Sequence, residues 1–239
     1  EMCIRDSLKT GAPPAPLEAQ FGDYPGMFQA LLGPDAHDYV VFDAEAGELP
    51  ASPEACEAYL VTGSSAGVYD PLPWIEDLSG FLRAAKGQAG LVGVCFGHQI
   101  MAQAFGGQVI KSPKGWGVGL HTYQVTAPAT WMDSAAPIAV AASHQDQVVA
   151  VPPGARVVAA RAFTPFGALA YDDQPAISIQ LHPEFEPAYA KALIEARRGS
   201  RYDDAQADQA VASYAAPNDA LRVGGWIDAF LATIPTRRG

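Results

Sequence analysis

The 239 residues carry 26 acidic and 15 basic side chains, a formal net charge of −11, with 49% hydrophobic and 17% charged residues. An acid excess of this size argues against wrapping phosphate backbones, because nucleic-acid binding draws on clustered Lys and Arg. No apolar stretch approaches the roughly 20 residues that span a membrane, and no signal peptide is expected. The few basic clusters, Arg197-Arg198 and Arg237-Arg238, read as helix-end or terminal charge.

In chain order, residues 1–7 read as an irregular leader, and 8–239 as one domain with a sizeable core. Residues 39–42 and 58–62 read as strands, 52–57 as a short helix holding Cys56, and 74–85 as a helix. An apolar strand ends over 91–94, and Ile100, Met101, Ala104 and Phe105 then recur at helical spacing. From Gly117 the runs shorten: 120–125, 138–140, 156–163, 167–171 and 176–181 read as antiparallel additions. Helical segments close the chain over 189–198, a polar stretch over 201–214, and 221–231. Alternating strand and helix in the first half predicts an α/β fold, a mostly parallel central sheet flanked by helices. Sites in such sheets collect beyond the carboxyl ends of the strands. There is no internal repeat or long linker.

The segment Gly93-Val94-Cys95-Phe96-Gly97-His98-Gln99 sets a cysteine between two glycines at a strand-to-helix junction. The spacing G-x-C-x-G has the form of a nucleophile elbow, in which small flanking residues permit a sharp turn that exposes the nucleophile. The unpaired N–H groups and dipole of a helix amino end favour an anion, and the thiolate is the attacking species. Cys56 and Cys3 lack such a frame. Three cysteines without framework spacing, one of them needed as a thiolate, point to a reducing compartment, the cytoplasm.

A cysteine nucleophile needs a base, and His182 is the strongest of five histidines. It ends an apolar run in Gln180-Leu181-His182-Pro183-Glu184-Phe185, where Pro183 keeps the strand from continuing normally. In an extended segment His182 and Glu184 project to one side, which suits a carboxylate that orients the imidazole. Cys95, His182 and Glu184 therefore form a candidate triad. His98 suggests half of a Cys-x-x-His metal site, but no second pair completes a zinc set, so no metal is expected. Glycines 115, 117 and 119 lack a dinucleotide fingerprint and no phosphate loop is present, so no cofactor is expected either. His37 and His121 read as structural or solvated, and His144 as either pocket wall or exposed turn.

The two segments around Cys95 and His182 resemble the signatures of class I, triad-type glutamine amidotransferases, in the right order. The likeness runs from about Leu8 to the last helix and is nearest to the free-standing branch that is similar to the amidotransferase domain of GMP synthase and to the plant gamma-glutamyl peptidases. It implies a flavodoxin-like fold and attack by Cys95 on the side-chain amide of glutamine. His182 would move the proton, Glu184 would hold His182, and water would release glutamate from a thioester. The oxyanion would be held by the backbone N–H of Phe96 and one in the loop Gly63-Ser64-Ser65-Ala66-Gly67, at Gly63 or Ser64. Gln99 and the segment Ser143-His144-Gln145-Asp146 would hold the substrate.

The family opens on an apolar first strand, whereas this chain reads Glu1-Met2-Cys3-Ile4-Arg5-Asp6-Ser7, like a foreign or replaced leader that weakens the strand. No synthetase domain follows, so ammonia would pass to a separate synthetase or leave as a by-product. Three readings follow: an amidotransferase subunit, an independent peptidase acting on gamma-glutamyl peptides or amine conjugates, and a binding protein with an idle site. Trp116, Tyr69, Tyr123 and Phe166 are candidates for the leaving-group side.

Overall fold

In the computed structural model, which describes residues 5–235, alternate side chains of the central strands enter different buried clusters. Strands β3 (Ala58–Val61) and β4 (Gly90–Val94) send Tyr59, Val61 and Leu91 toward helices α3 (Pro73–Ala85) and α4 (Phe96–Ala104). Their Ala58, Leu60, Val92 and Val94 instead join Phe28 of α2 (Tyr24–Leu32) and Val223, Trp226 and Phe230 of α7 (Ala220–Leu231). Period-two alternation thus buries both faces, as a parallel sheet requires. On α3 the buried residues Ile75, Leu78, Leu82 and Ala85 follow helical spacing. Full burial of a side chain such as Leu82 contributes roughly 1.5–3 kcal/mol.

The parallel half of the main sheet runs in the order β2 (Tyr39–Asp43), β1 (Arg5–Lys9), β3, β4 and β11 (Ala176–Ile179). It continues through the antiparallel strands β10 (Ala168–Tyr171), β9 (Ala155–Ala160), β6 (Gly117–Val125) and β7 (Ile138–His144). The expected mostly parallel sheet with antiparallel additions is therefore what forms.

Strand β6 meets β9 only through Gln124 and Val125, yet pairs with β7 from Gly117 to Tyr123. Although β7 is the far edge of the sheet, its Ala141 bridges to His182, just past the end of β11. The antiparallel arm thus curls back over the carboxyl ends of the parallel strands. This curl closes the site.

Two local expectations are corrected. The irregular leader does not extend over residues 5–7: β1 begins at Arg5 and pairs with both neighbours, Leu8 lying opposite Phe42 and Val61. Backbone ladders need only N–H and C=O groups, and the fully buried Leu8 anchors the strand. Residues 1–4, and with them Cys3, lie outside the described residues, as do Arg237 and Arg238. The segment 52–57 is turn rather than helix, and Cys56 is buried with its N–H donating to the Tyr59 hydroxyl at 3.1 Å.

Elements not anticipated are α1 (Ala15–Phe21), α2, and the antiparallel pair β5 (Gln108–Lys111) and β8 (Asp146–Ala150). Both helices α1 and α2 carry their Pro in the first turn, where its missing N–H costs nothing. Asp23 caps α2 by accepting from the Gly26 N–H at 2.9 Å. A third buried cluster joins Leu17 of α1 to Leu193 of α5 (Pro187–Arg197) and Ala207 of α6 (Asp204–Ser213). No helix among the described residues is long and apolar enough to cross a membrane.

Candidate active site

Cys95 sits between β4 and α4 with φ 54° and ψ −101°, and is the one non-glycine with positive φ among the described residues. Such a backbone costs about 1–3 kcal/mol and persists only where its surroundings impose it. Here the Cys95 N–H donates to the Ile179 carbonyl at 2.9 Å, and its own carbonyl accepts from the Gln99 N–H at 3.1 Å. The two framing glycines are demanded by packing. A Cβ on Gly93 would lie 2.5 Å from the Gly97 carbonyl oxygen, and one on Gly97 would overlap the Val61 carbonyl. The G-x-C-x-G spacing therefore both permits the turn and lets α4 lie close against β3 and β4.

His182 arrives from the end of β11, its N–H donating to the Ala141 carbonyl at 2.9 Å. Its Nδ1 is 2.7 Å from Glu184 Oε1, and its ring lies with the Cys95 side chain beside Gly63. The structure thus brings together Cys95, His182 and Glu184, all buried. Burial works against the imidazolium, but the charges of Cys95 and Glu184 and the hydrogen bond to Glu184 outweigh it and lift the His182 pKa to about 10.

The loop after β3 lies beside this pair: a Cβ on Gly63 would be 3.2 Å from His182 Cε1 and 3.8 Å from Cys95 Cβ. Thr10, just past β1, holds the loop, with its hydroxyl 3.1 Å from the Gly63 carbonyl and 3.0 Å from that of Thr62. Ser64 lines the cavity next to Cys95. Phe96 opens α4, so its N–H is among those a helix start leaves without an intrahelical partner.

A cavity of about 270 Å³ opens at Cys95, lined among others by Gln99, Ser143, His144 and Gln145. His144 is therefore pocket wall, buried, with Nδ1 3.2 Å from the Asp146 carbonyl. Burial, followed by the charge of His121, holds its pKa down to about 3, so it is neutral. The Gln99 amide nitrogen donates to the Asp146 carbonyl at 2.9 Å and to Gln180 Oε1 at 3.1 Å, which clamps the 143–146 segment to α4. Asp146 accepts from the Tyr69 hydroxyl at 2.8 Å, and burial raises its pKa.

Of the four aromatic candidates, Trp116 and Tyr69 line this cavity. Tyr123 does not, being fully buried in the cluster on the α2 and α7 side, and Phe166 packs against the opposite cluster. His98 lies under the elbow, its Nδ1 2.8 Å from Ser178 Oγ. His37 contacts Asp228 at 3.0 Å.

Arg197 is not mere helix-end charge. It lines the cavity together with Arg201 and donates to Ser143 Oγ at 2.8 Å, whereas Arg198 is engaged by Glu195 and Asp208. Phe185, stacked on His182 with ring centroids 4.0 Å apart, is a further site residue not singled out from the sequence. Nothing local distinguishes Arg197, because its proximity to Cys95 depends on where α5 docks.

A positive-φ cysteine at a strand-to-helix elbow thus lies beside a carboxylate-bound histidine at the end of the neighbouring strand of an α/β sheet. The family model "Glutamine amidotransferase class-I" matches residues 51–197, and the chain belongs to that family. A glutamine amidotransferase-like protein of Schizosaccharomyces pombe is 29% identical over 90% of this chain and 94% of its own length. Gamma-glutamyl peptidase 4 of Arabidopsis thaliana is 27% identical over 69% of each chain. In fold, the crystal structure of a glutamine amidotransferase from Methylobacillus flagellatus superimposes with a TM-score of 0.78, covering 100% of this chain and 98% of its own at 18% identity.

Proposed function

We propose that this protein hydrolyses the gamma-glutamyl amide bond through a glutamyl thioester on Cys95, glutamine being the simplest substrate. The observation that carries the reading is the juxtaposition of a strained, positive-φ Cys95 with a His182 that is bonded to Glu184. Cys95 Sγ attacks the amide carbon, His182 delivers a proton to the departing nitrogen, and water activated by the same imidazole then releases glutamate. Glu184 fixes the ring orientation through Nδ1 and stabilises its cationic form. The backbone N–H groups of Phe96 and of the Gly63-Ser64 turn receive the negative oxygen. Gln99, Ser143, His144 and Gln145 shape the glutamyl pocket. A free thiolate nucleophile suits a reducing compartment such as the cytoplasm.

The departing nitrogen separates two forms of this reading. In one, ammonia leaves glutamine and is consumed by a separate synthetase. In the other, a free-standing hydrolase acts on gamma-glutamyl peptides or amine conjugates. The second is favoured by the likeness to a gamma-glutamyl peptidase over 69% of each chain, and by a cavity that extends from Cys95 to Trp116 and Arg201.

The test is glutamate release from glutamine and from a panel of gamma-glutamyl peptides and amines, with Cys95→Ala as blank. Fast Cys95-dependent release from the panel identifies the free-standing hydrolase, and release from glutamine alone identifies the amidotransferase. Release that survives Cys95→Ala overturns the mechanism.

A further inference from the structure

In this acid-rich chain basic side chains commonly have acidic partners: Lys9 with Asp43, Lys86 with Asp173, Arg156 with Asp172, and Arg222 with Asp133. Arg197 and Arg201 differ. Both line the Cys95 cavity, and among the described residues neither forms an ion pair with a carboxylate. Arg197 is fixed by its bond to Ser143 Oγ, and the Arg201 guanidinium lies 4.8 Å from the centroid of the Trp116 ring. The two cations share the lining of one cavity, and burial and then the charge of Arg197 hold Arg201 below the ordinary arginine range. Planar guanidinium groups in this state are carboxylate receptors.

Another part of the same lining has a different balance. Lys111 of β5 lies in register with Asp146 of β8, and its charge acts on that carboxylate, while Asp70 adds a second acid. That part suits the ammonium group of a gamma-glutamyl compound. Glutamine, with one ammonium and one carboxylate, would use one arginine and leave the other unmatched. A gamma-glutamyl amino acid has one ammonium and two carboxylates.

We infer that the pocket takes gamma-glutamyl amino acids or peptides whose amine half carries a carboxylate. Arg197 holds the carboxylate common to every gamma-glutamyl compound, and Arg201, stacked on Trp116, holds the one on the departing amine. The inference rests on the gamma-glutamyl hydrolase reading above and narrows its substrate class.

The test compares gamma-glutamylglycine with gamma-glutamylmethylamide, which differ by that carboxylate alone. Binding is read by calorimetry on the Cys95→Ala protein, and hydrolysis on the protein with Cys95 intact. A charge-assisted contact predicts a preference of roughly tenfold or more for gamma-glutamylglycine in both Kd and kcat/KM. Arg201→Gln should reduce that ratio to about two or less, and Arg201→Lys should restore part of it. Arg197→Gln should weaken both ligands and keep the ratio.

Equal binding of the two ligands, binding of neither, or a ratio that survives Arg201→Gln overturns the inference. Because binding is read without turnover, a ratio that obeys Arg201 in a protein that hydrolyses nothing would sink the hydrolase reading and leave the carboxylate assignment standing. Hydrolysis without a ratio would do the reverse.

Discussion

The Phe185 ring lies flat on the His182 imidazole, with centroids 4.0 Å apart and planes 8° apart, and is itself held by Tyr24 and Tyr189. The stack fixes the imidazole plane from one side while Glu184 fixes its rotation through Nδ1. Phe185 is thus a positioning residue. Phe185→Leu keeps apolar volume but loses the flat contact, and should lower kcat by about 10- to 100-fold with KM little changed. Steady-state kinetics on one gamma-glutamyl substrate decides this, since a purely structural residue would change the amount of folded enzyme and not its kcat per active site.

Cys95→Ala should abolish the covalent glutamyl adduct seen by intact mass after rapid quench. Glu184→Gln should lower kcat by about 10²-fold or more while ligand binding persists, because a neutral amide no longer supports the imidazolium. An adduct on the Cys95→Ala protein would place the nucleophile elsewhere.

The glycine frame should be revealed by stability. Gly97→Ala drives a methyl group into the Val61 carbonyl, and backbone in a buried strand cannot yield as a flexible side chain can. We expect a loss of roughly 3 kcal/mol or failure to fold. Gly225→Ala, also helical but with nothing within 4 Å of the added Cβ, should instead stabilise by about 0.5–1 kcal/mol. Urea midpoints of the two variants measure the contrast.

Acid should unfold this protein through its buried histidines. Burial holds His98 to about 3, and burial followed by the charge of His121 does the same for His144, against an ordinary value of 6.5. Between about pH 6.5 and pH 3 the unfolded chain binds protons that the folded chain refuses. Stability therefore falls as pH drops through that window and is unaffected by these groups above it. Each contributes a slope of up to about 1.4 kcal/mol per pH unit. His98→Gln should flatten the acid limb of unfolding free energy against pH, and an unchanged slope would show that His98 is protonated when folded.

Much of the fold was legible because its signals are local. The short apolar runs of β3 and β4, the helical spacing of Ile75, Leu78 and Leu82, and two glycines around Cys95 are each written in a few consecutive residues. The helices α1 and α2 were hidden by prolines whose helix-starting role shows only once the helix exists. The segment 52–57 was misread for the complementary reason: its alanines and acids suit a helix, but its turn is held by the Tyr59 hydroxyl accepting from the Cys56 N–H.

The sequence by itself determined the elbow spacing and the α/β class and singled out Cys95, His182 and Glu184 as a candidate triad, since each is written in contiguous residues. Tertiary structure decided what surrounds them. His144 became pocket wall and Tyr123 core because β7 curls back to meet His182. Arg197 and Arg201 became cavity cations because α5 docks beside Ser143. Those contacts join residues separated by tens of positions, and only burial of the faces between them sets the distance at which they meet.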